Sequence, residues 1–419
     1  MHDSKIRSRL KAQLTKFCVE LCVGLSRPLE KFACQMLFGI QASQDVKLSN
    51  IARSLKEDIP LIETEKRLSR NLKAEELERE LTPQLVRMGS QRVRPNTVLA
   101  LDLSDIRKEY AQKMEYLATV RDGSSGELHQ GYWLCDVTAA EVNSSEIVPL
   151  YQKLYSAAAK DFRSENDEVL AAVDLIRSQT QGRGIWVIDR GGDRKKLLEP
   201  LLDRAERFVI RSTGKRSVID RRHLCGTVAE VAGRCRLTQA RIVKIQDANE
   251  KAYELRYGAV PIQLPGRSEK LWLVVVDGFG EERLMLITNL PPRAGDSQSL
   301  WWIVQIYLTR WKIEETFRFI KQSYNLEDIR VMKYQRLKNL VILVTAATYF
   351  AATFLGQQMK LRILCEKLLI ISQRFFGIPP FRFYALADGI RRILSQATLS
   401  SPEAPPESLQ LELTLGWQP

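Results

Sequence analysis

The spacing of apolar residues changes several times along the chain, and each change predicts a different kind of element. Within residues 1–95, apolar positions recur every three or four residues, which predicts helices that bury one face. Short helices at 47–55 and 64–72 are near enough in sequence to form a helix-turn-helix-like unit. A plain helical bundle explains the same pattern equally well, so both arrangements remain open.

Residues 96–212 show a different pattern, in which strands and helices follow one another. Short apolar runs predict buried strands at 98–103, 114–120, 130–137, 184–189 and 208–211. Helical spacing predicts helices at 146–160, 167–176 and 193–205. Three strands joined by hairpins, a helical crossover and further strands together predict an α/β fold with a mixed sheet flanked by helices.

The second half of the chain predicts three more segments. Residues 213–289 hold four strand-like runs and form a predicted β-rich insertion, and residues 290–395 return to helices of the core. Residues 396–419 are rich in Pro, Glu and Ser and predict a loose tail. The uncharged stretch 339–359 is long enough to span a bilayer, but its threonines and its polar end favour a buried core helix.

Composition narrows the class of partner. The chain carries 63 Lys and Arg against 50 Asp and Glu, a net charge of +13, which favours a polyanion such as nucleic acid or a membrane surface. Its seven cysteines are scattered without a CxxC pair, which favours reduced thiols in the cytoplasm. No apolar leader follows the charged N-terminus, and three histidines leave little material for histidine chemistry.

A row of charged and phenolic side chains is the strongest sign of function. The segment 307–321 predicts one helix on which Tyr307, Arg310, Glu314 and Lys321 share an arc of about 60°, with Arg318 beside them. Such a row is often a solvated helix face. Here apolar residues, including Trp311, flank it on both sides, so we expect the row to face a cavity or a partner.

Two strand-borne acids complete this candidate site. Asp102 lies inside an apolar strand, where a carboxylate is costly unless it binds a metal, the backbone or an arginine such as Arg107. Asp105 is a neighbouring rival that suits a turn or a cap better. Asp189 ends a strand, at the kind of sheet edge where sites gather. It could instead cap the following helix, although Asp193 fits that task better.

Three carboxylates from separate elements suit a hard divalent cation. Asp102, Asp189 and Glu314 would supply the oxygen ligands that Mg²⁺ or Mn²⁺ prefers, together with water and phosphate. Two such ions can activate an attacking oxygen and stabilise a leaving oxygen at phosphorus. The Tyr, Arg and Lys side chains of the Glu314 helix could position the phosphates.

These residues resemble a known family. Tyr307, Arg310, Glu314 and Lys321, separated by two, three and six residues, resemble the Y-R-E-K signature of bacterial insertion-sequence DDE transposases of the insertion-sequence-four group. Residues 101–105 look like the first Asp block of that family, and residues 187–193 look like its second Asp block. Residues 208–215 look like the basic strand that follows the second block. The resemblance covers roughly residues 45–360.

The resemblance implies a fold and roles for single residues. It implies an RNase H-like core at 96–212 and 290–395, the β insertion at 213–289, and a DNA-end-binding domain at 1–95. Two metal ions would be held by Asp102, Asp189 and Glu314. Phosphate and DNA contacts would come from Tyr307, Arg310, Lys321, Arg211 and Arg318. The insertion-domain tryptophan that stacks on a flipped base in some relatives has no counterpart near residues 284–285.

The implied activity is cut-and-paste DNA transposition. The enzyme would cleave double-stranded DNA at the terminal inverted repeats of an element and join the freed 3′-OH to target DNA. It would act as a homodimer that pairs two ends, in the cytoplasm at the nucleoid and away from membranes. Two alternatives remain: a catalytically inactive or domesticated DNA-binding protein derived from a transposase, and an RNase H-like nuclease.

Overall fold

A computed structural model of the protein describes residues 3–108, 111–121, 126–244, 252–280, 282–293, 296–356 and 382–397. The predicted loose tail at 396–419 lies almost entirely outside these residues. The helical character predicted for the N-terminal region is confirmed by five helices. They are α1 (Asp3–Leu21), α2 (Arg27–Ser43), α3 (Leu48–Leu55), α4 (Leu61–Asn71) and α5 (Glu75–Ser90).

The core is a mixed sheet flanked by helices, as predicted. Its strands are β1 (Val98–Arg107), β2 (Ala118–Arg121), β3 (Leu128–Ala140), β4 (Ile147–Tyr155), β5 (Ile185–Ile188) and β6 (Phe208–Arg211). The spatial order is β4-β3-β1-β5-β6, in which β3 runs antiparallel to β1 and β4, while β5 and β6 run parallel to β1. The crossover helix α6 (Glu165–Thr180) joins β4 to β5, and α7 (Lys195–Asp203) joins β5 to β6.

The helix predicted at 146–160 is wrong, because this segment forms strand β4. Its residues pair along β3, from Ile147 opposite Ala140 to Tyr155 opposite Trp133. Helices α5 and α6 both contact the strand. A strand covered on both faces carries an almost continuous apolar sequence, and here the intervals between its apolar residues also suited a helix. The second predicted strand, 114–120, is also displaced, since β2 begins only at residue 118.

The segment 213–289 extends the same sheet. It contains β7 (Ser217–Asp220), β8 (Cys225–Thr227), α8 (Val228–Arg234), β9 (Gln239–Lys244), β10 (Ala252–Gln263), β11 (Leu271–Asp277) and β12 (Leu284–Thr288). β12 pairs antiparallel with β6, so the inserted strands continue the core sheet without a gap. The β-rich character of the insertion is confirmed, although the sequence pattern missed β7, β8 and α8.

Four helices complete the described chain: α9 (Ser297–Thr309), α10 (Trp311–Ser323), α11 (Tyr334–Ala352) and α12 (Arg382–Leu394). Helix α11 is buried nearly throughout and packs against β4, α2 and α5, which confirms a core helix there. Among the described helices, none is long and apolar enough to cross a membrane. The N-terminal helices thus share one core with the C-terminal helices.

The faces of β1 determine what the site contacts. Val98 and Ala100, which share a face with Asp102 because side chains alternate, pack with Ile306 of α9 and Ile313 of α10. The opposite face packs into the larger core with the N-terminal and C-terminal helices. The face of β1 that carries Asp102 is therefore the one covered by α9 and α10.

We expect Gly131→Ala to destabilise the protein by more than about 2 kcal/mol. Gly131 pairs with Arg107 where β3 meets β1, and an added Cβ would overlap the backbone carbonyl oxygen of Ile106. The matched control is Gly233→Ala in α8, where nothing lies within 4 Å of an added Cβ. That change should be neutral or stabilising by about 0.5–1 kcal/mol. Urea unfolding measures both, and equal stability of the two variants would contradict the close approach.

Candidate active site

The two strand-borne acids lie side by side at one edge of the sheet. β1 and β5 are parallel neighbours, with Leu101 opposite Ile188. The next residue of each strand is an acid, Asp102 and Asp189, and Asp189 directly follows the end of β5. This register is consistent with the sequence prediction that the two acids meet. It brings two negative charges together, and the side chain of Asp102 is only 19% exposed.

Arg310 links Asp102 to Glu314. Its Nη1 atom lies 3.1 Å from Oδ2 of Asp102, and its Nη2 atom lies 2.7 Å from Oε1 of Glu314. The arginine side chain is 15% exposed, whereas that of Glu314 is 53% exposed. Asp102 does have an arginine partner, but it is Arg310 from α10's N-terminal end and not Arg107, the neighbour that the sequence suggested.

The single helix predicted for 307–321 is wrong in one respect, since the helix is interrupted at Arg310. The arginine ends α9 and begins α10, and its N–H donates to the carbonyl of Tyr307, three residues back, at 3.0 Å. Arg310 and Glu314 nevertheless stay on one face, so the charged row survives the break. Trp311, predicted to lie on a buried flank, is 46% exposed.

Burial and neighbouring charge both act on Asp102. Burial raises the pKa of Asp102 to about 7, and the negative charge of Asp189 adds to the rise. The positive charge of Arg310 and a hydrogen bond from the N–H of Leu103 at 2.9 Å oppose it. Two carboxylates in a poorly hydrated place thus repel each other, and such a pair attracts a cation.

Arg211 and Tyr307 form a second contact beside the acids. Ile188 pairs with Ile210, so Arg211 at the end of β6 follows the same edge as Asp189. The positive charge of Arg211 lies close enough to Tyr307 to favour its ionised phenolate, but burial dominates and raises the pKa of that phenol. Three of the predicted site residues, Arg211 on β6, Tyr307 on α9 and Arg310 at the helix break, therefore lie beside the acids.

The remaining two residues of the predicted set point to other partners. Lys321 Nζ lies 3.1 Å from Oε1 of Glu327, and its charge also reaches the buried Asp136. Arg318 pairs with Glu315 and is largely exposed. The structure therefore does not place Arg318 against the three acids, and its contact with DNA stays a prediction.

Asp136 is a site residue that the sequence analysis missed. It lies directly opposite Asp102 in the β1–β3 pairing and is 5% exposed. Its Oδ1 accepts a hydrogen bond from Gln152 at 2.5 Å, while its Oδ2 is buried without a partner among the described residues. Burial raises the pKa of Asp136 well above its usual value. The sequence did indicate this residue, because Asp136 interrupts an apolar strand in the same way as Asp102 does.

The capping role that the sequence left open for Asp189 is present, because its Oδ1 accepts from the N–H of Gly191 at 2.7 Å and so caps the short turn after β5. The expectations for Asp193 and Asp105 were wrong. Asp193 does not cap α7; its carboxylate instead binds the hydroxyl of Ser212 at 2.7 Å and the guanidinium of Arg216. Asp105 is not a turn residue either, because it lies within β1 and is buried.

The two tryptophans Trp272 and Trp301 contact other groups. Trp301 is buried, packs at a tilt of 41° against the ring of Tyr257 and lies under the guanidinium of Arg241. Trp272 lies under the ammonium of Lys270.

The acids fit a divalent cation in chemistry but are not assembled around a cation position. Within the ranges that the structure describes, no group of three or more His, Cys, Asp or Glu side chains is arranged to hold a metal ion. The donors are hard oxygens, and Asp102 and Asp189 gain from a nearby positive charge. Arg310 supplies that charge and engages two of the three carboxylates.

Comparison with known proteins identifies the family. The family model for the transposase DDE domain matches residues 136–350, just over half of the chain, and the chain belongs to this family. Asp189 and Glu314 lie inside the matched segment, and Asp102 lies before it. No curated protein matches the chain.

Seven chains of solved structures match the fold. One belongs to a cryo-EM structure of a piggyBac transposase synaptic complex with hairpin DNA. It is 10% identical, covers 93% of this chain and 80% of its own, and gives a TM-score of 0.44. A likeness at this level transfers no residue roles.

We expect Asp102→Asn to stabilise the fold at about pH 8, on the order of 2 kcal/mol. The pKa of Asp102 is raised to about 7, so stability is lost as pH rises from about 4 through that value. Asparagine cannot ionise and escapes this loss, although it gives up part of the Arg310 pair. The gain in folding stability should vanish below about pH 4, where Asp102 is protonated in both the folded and the unfolded protein.

Thermal unfolding across this pH range provides the measurement. Asp174→Asn is the control, because Arg204 lowers the pKa of Asp174 and its loss should reduce stability at high pH. Destabilisation by Asp102→Asn at about pH 8 would contradict the account of a repelled, buried carboxylate.

Proposed function

We propose that this member of the DDE family is an active DNA transposase of the insertion-sequence-four group. It would cleave DNA at the ends of its element and join the freed 3′-OH to target DNA. The observation that carries the proposal is the meeting of acids from β1, β5 and α10 around one arginine. Acids on three separate elements gain nothing for folding by meeting, so their convergence supports a functional site.

The metal ligands would be Asp102, Asp189 and Glu314. A bound Mg²⁺ or Mn²⁺, with two ions proposed, supplies Lewis acidity and a more acidic water at the scissile phosphate. The bond between Asp189 and the Gly191 N–H fixes one carboxylate, and the buried strand β1 fixes that of Asp102. Glu314 is more exposed and can rotate, so it would complete the ligand set last.

Phosphate binding would fall to the basic and phenolic groups at the same edge. Arg211 and Tyr307 lie near each other beside the acids, so both are available to one phosphate. Arg310 offers a planar pair of donors that suits a phosphodiester, and Lys321 offers a point charge further along α10. Arg318 would contact DNA from the exposed face of that helix. These groups would hold the DNA backbone while the acids act on it.

The partner would be double-stranded DNA, first the terminal inverted repeats and then the target. A net charge of +13 supports a strong dependence of binding on salt. Residues 1–95 would bind the ends, with α3 and α4 as the candidate contact, and two copies would pair two ends as a homodimer. The proposed bounds of the other segments remain 96–212, 213–289, 290–395 and 396–419.

The test uses a supercoiled plasmid that carries the element ends, incubated with Mg²⁺. We expect Glu314→Gln to reduce strand nicking by more than about a hundredfold while end binding is retained, because charge is lost and shape is kept. Glu315→Gln, on the next residue of α10 and paired with Arg318, is the matched control and should nick at a near-normal rate.

Three results would count against parts of the proposal. Nicking that survives Glu314→Gln and is lost in Glu315→Gln would move the third ligand to Glu315. End binding by the wild type without any nicking would favour an inactive DNA-binding derivative. Cleavage of hybrid or branched substrates without joining of the 3′-OH to target DNA would favour an RNase H-like nuclease.

A further inference from the structure

Arg310 lies where the proposed metal ligands need to act. Its two terminal nitrogens engage Oδ2 of Asp102 at 3.1 Å and Oε1 of Glu314 at 2.7 Å. One guanidinium thus joins the central strand of the sheet to α10. Because 15% of its side chain is exposed, water compensates little of its charge, and the two carboxylates are its main partners.

A bound cation and this arrangement compete with each other. Mg²⁺ requires carboxylate oxygens at about 2.0–2.1 Å in a near-octahedral shell. The guanidinium already occupies one oxygen of each carboxylate, and its positive charge repels a metal ion at the remaining oxygens. Metal binding by Asp102 and Glu314 together is therefore weakened while both ion pairs of Arg310 are made.

We propose that Arg310 is a built-in competitor of the divalent cation, which keeps the acids closed to metal until a DNA phosphate draws its guanidinium away. The inference rests on the proposed function, since it assigns regulation to the same site. It differs from a simple phosphate-binding role, because it makes the arginine an obstacle to metal in the DNA-free protein.

The two halves of the bridge differ in strength. The Arg310–Glu314 pair is open to water on the Glu314 side, which is 53% exposed, so screening weakens it. The Arg310–Asp102 pair is shielded on both sides. Opening therefore begins at Glu314. The backbone of Arg310 is held at both its N–H, which donates to Tyr307, and its carbonyl, which accepts from Ile313, so opening requires only rotation of the side chain.

A phosphodiester is a suitable new partner for the released arginine. Guanidinium binds phosphate through two parallel hydrogen bonds, and this gain offsets the loss of the carboxylates. Arg211 and Tyr307 lie near each other at the same edge and would hold an adjacent phosphate. By linkage, DNA must then raise the affinity for metal by the same factor by which metal raises the affinity for DNA.

The first experiment measures Mn²⁺ binding by calorimetry without DNA. We expect Arg310→Ala to bind Mn²⁺ about tenfold more tightly than the wild type, because the competing charge is gone. Arg204→Ala is the matched control. It removes the same charge and breaks an ion pair with Asp174, which joins the end of α7 to α6. Its Mn²⁺ affinity should equal that of the wild type.

The second experiment needs no folded Arg310 variant. We expect a short duplex oligonucleotide to raise the Mn²⁺ affinity of the wild type, and Asp189→Asn with the same duplex measures the Mn²⁺ held by DNA alone.

Arg310→Lys keeps a positive charge but can engage only one carboxylate well. Its Mn²⁺ affinity without DNA should therefore rise above that of the wild type by a smaller factor than in Arg310→Ala.

Unchanged Mn²⁺ affinity in a folded Arg310→Ala, or no effect of the duplex on the wild type, would overturn the inference. If the wild type still nicks plasmid in either case, the transposase proposal stands and only the competition fails. If no Mn²⁺ binds to the wild type with or without DNA and no nicking occurs, the proposed function fails as well.

Discussion

The site depends on holding like charges close together in a place that water barely reaches. Asp102 and Asp189 come from adjacent parallel strands, and Asp136 approaches from the antiparallel neighbour of β1. Their repulsion is a standing cost to the fold. Asp136 reduces the cost through a raised pKa and a bond from Gln152, and Arg310 reduces it by supplying a positive charge. The positive charge of Arg310 at this edge is therefore part of what stabilises the fold around the acids.

Strand register determines which acids meet. A slip of one residue between β1 and β3 would turn Asp102 to the opposite face and would bury it among apolar groups of the larger core. The close approach of Gly131 to the backbone of Ile106 fits only the observed pairing. Packing of Val98 and Ala100 against α9 and α10 then brings the helix break, and with it Arg310, over the acids.

Much of this arrangement was predictable from local sequence, because a buried strand tolerates an acid only for a reason. That argument identifies Asp102 and applies equally to Asp136, which also interrupts an apolar strand and lies opposite Asp102 in the sheet. The error at β4 has another cause: a strand covered on both faces loses the alternation that distinguishes it from a helix. The interruption at Arg310 was not predictable, since no proline or glycine marks it and only tertiary contacts with Asp102 and Glu314 accompany it.

The pairing of β6 with β12 couples the segment 213–289 to the strands that carry the acids. A hydrogen-bonded sheet resists sliding of its strands past one another, and the strands of segment 213–289 and those that carry the acids belong to one continuous sheet. A load on β12 is therefore carried across hydrogen bonds to β6, where Leu286 pairs with Arg211 beside the acids.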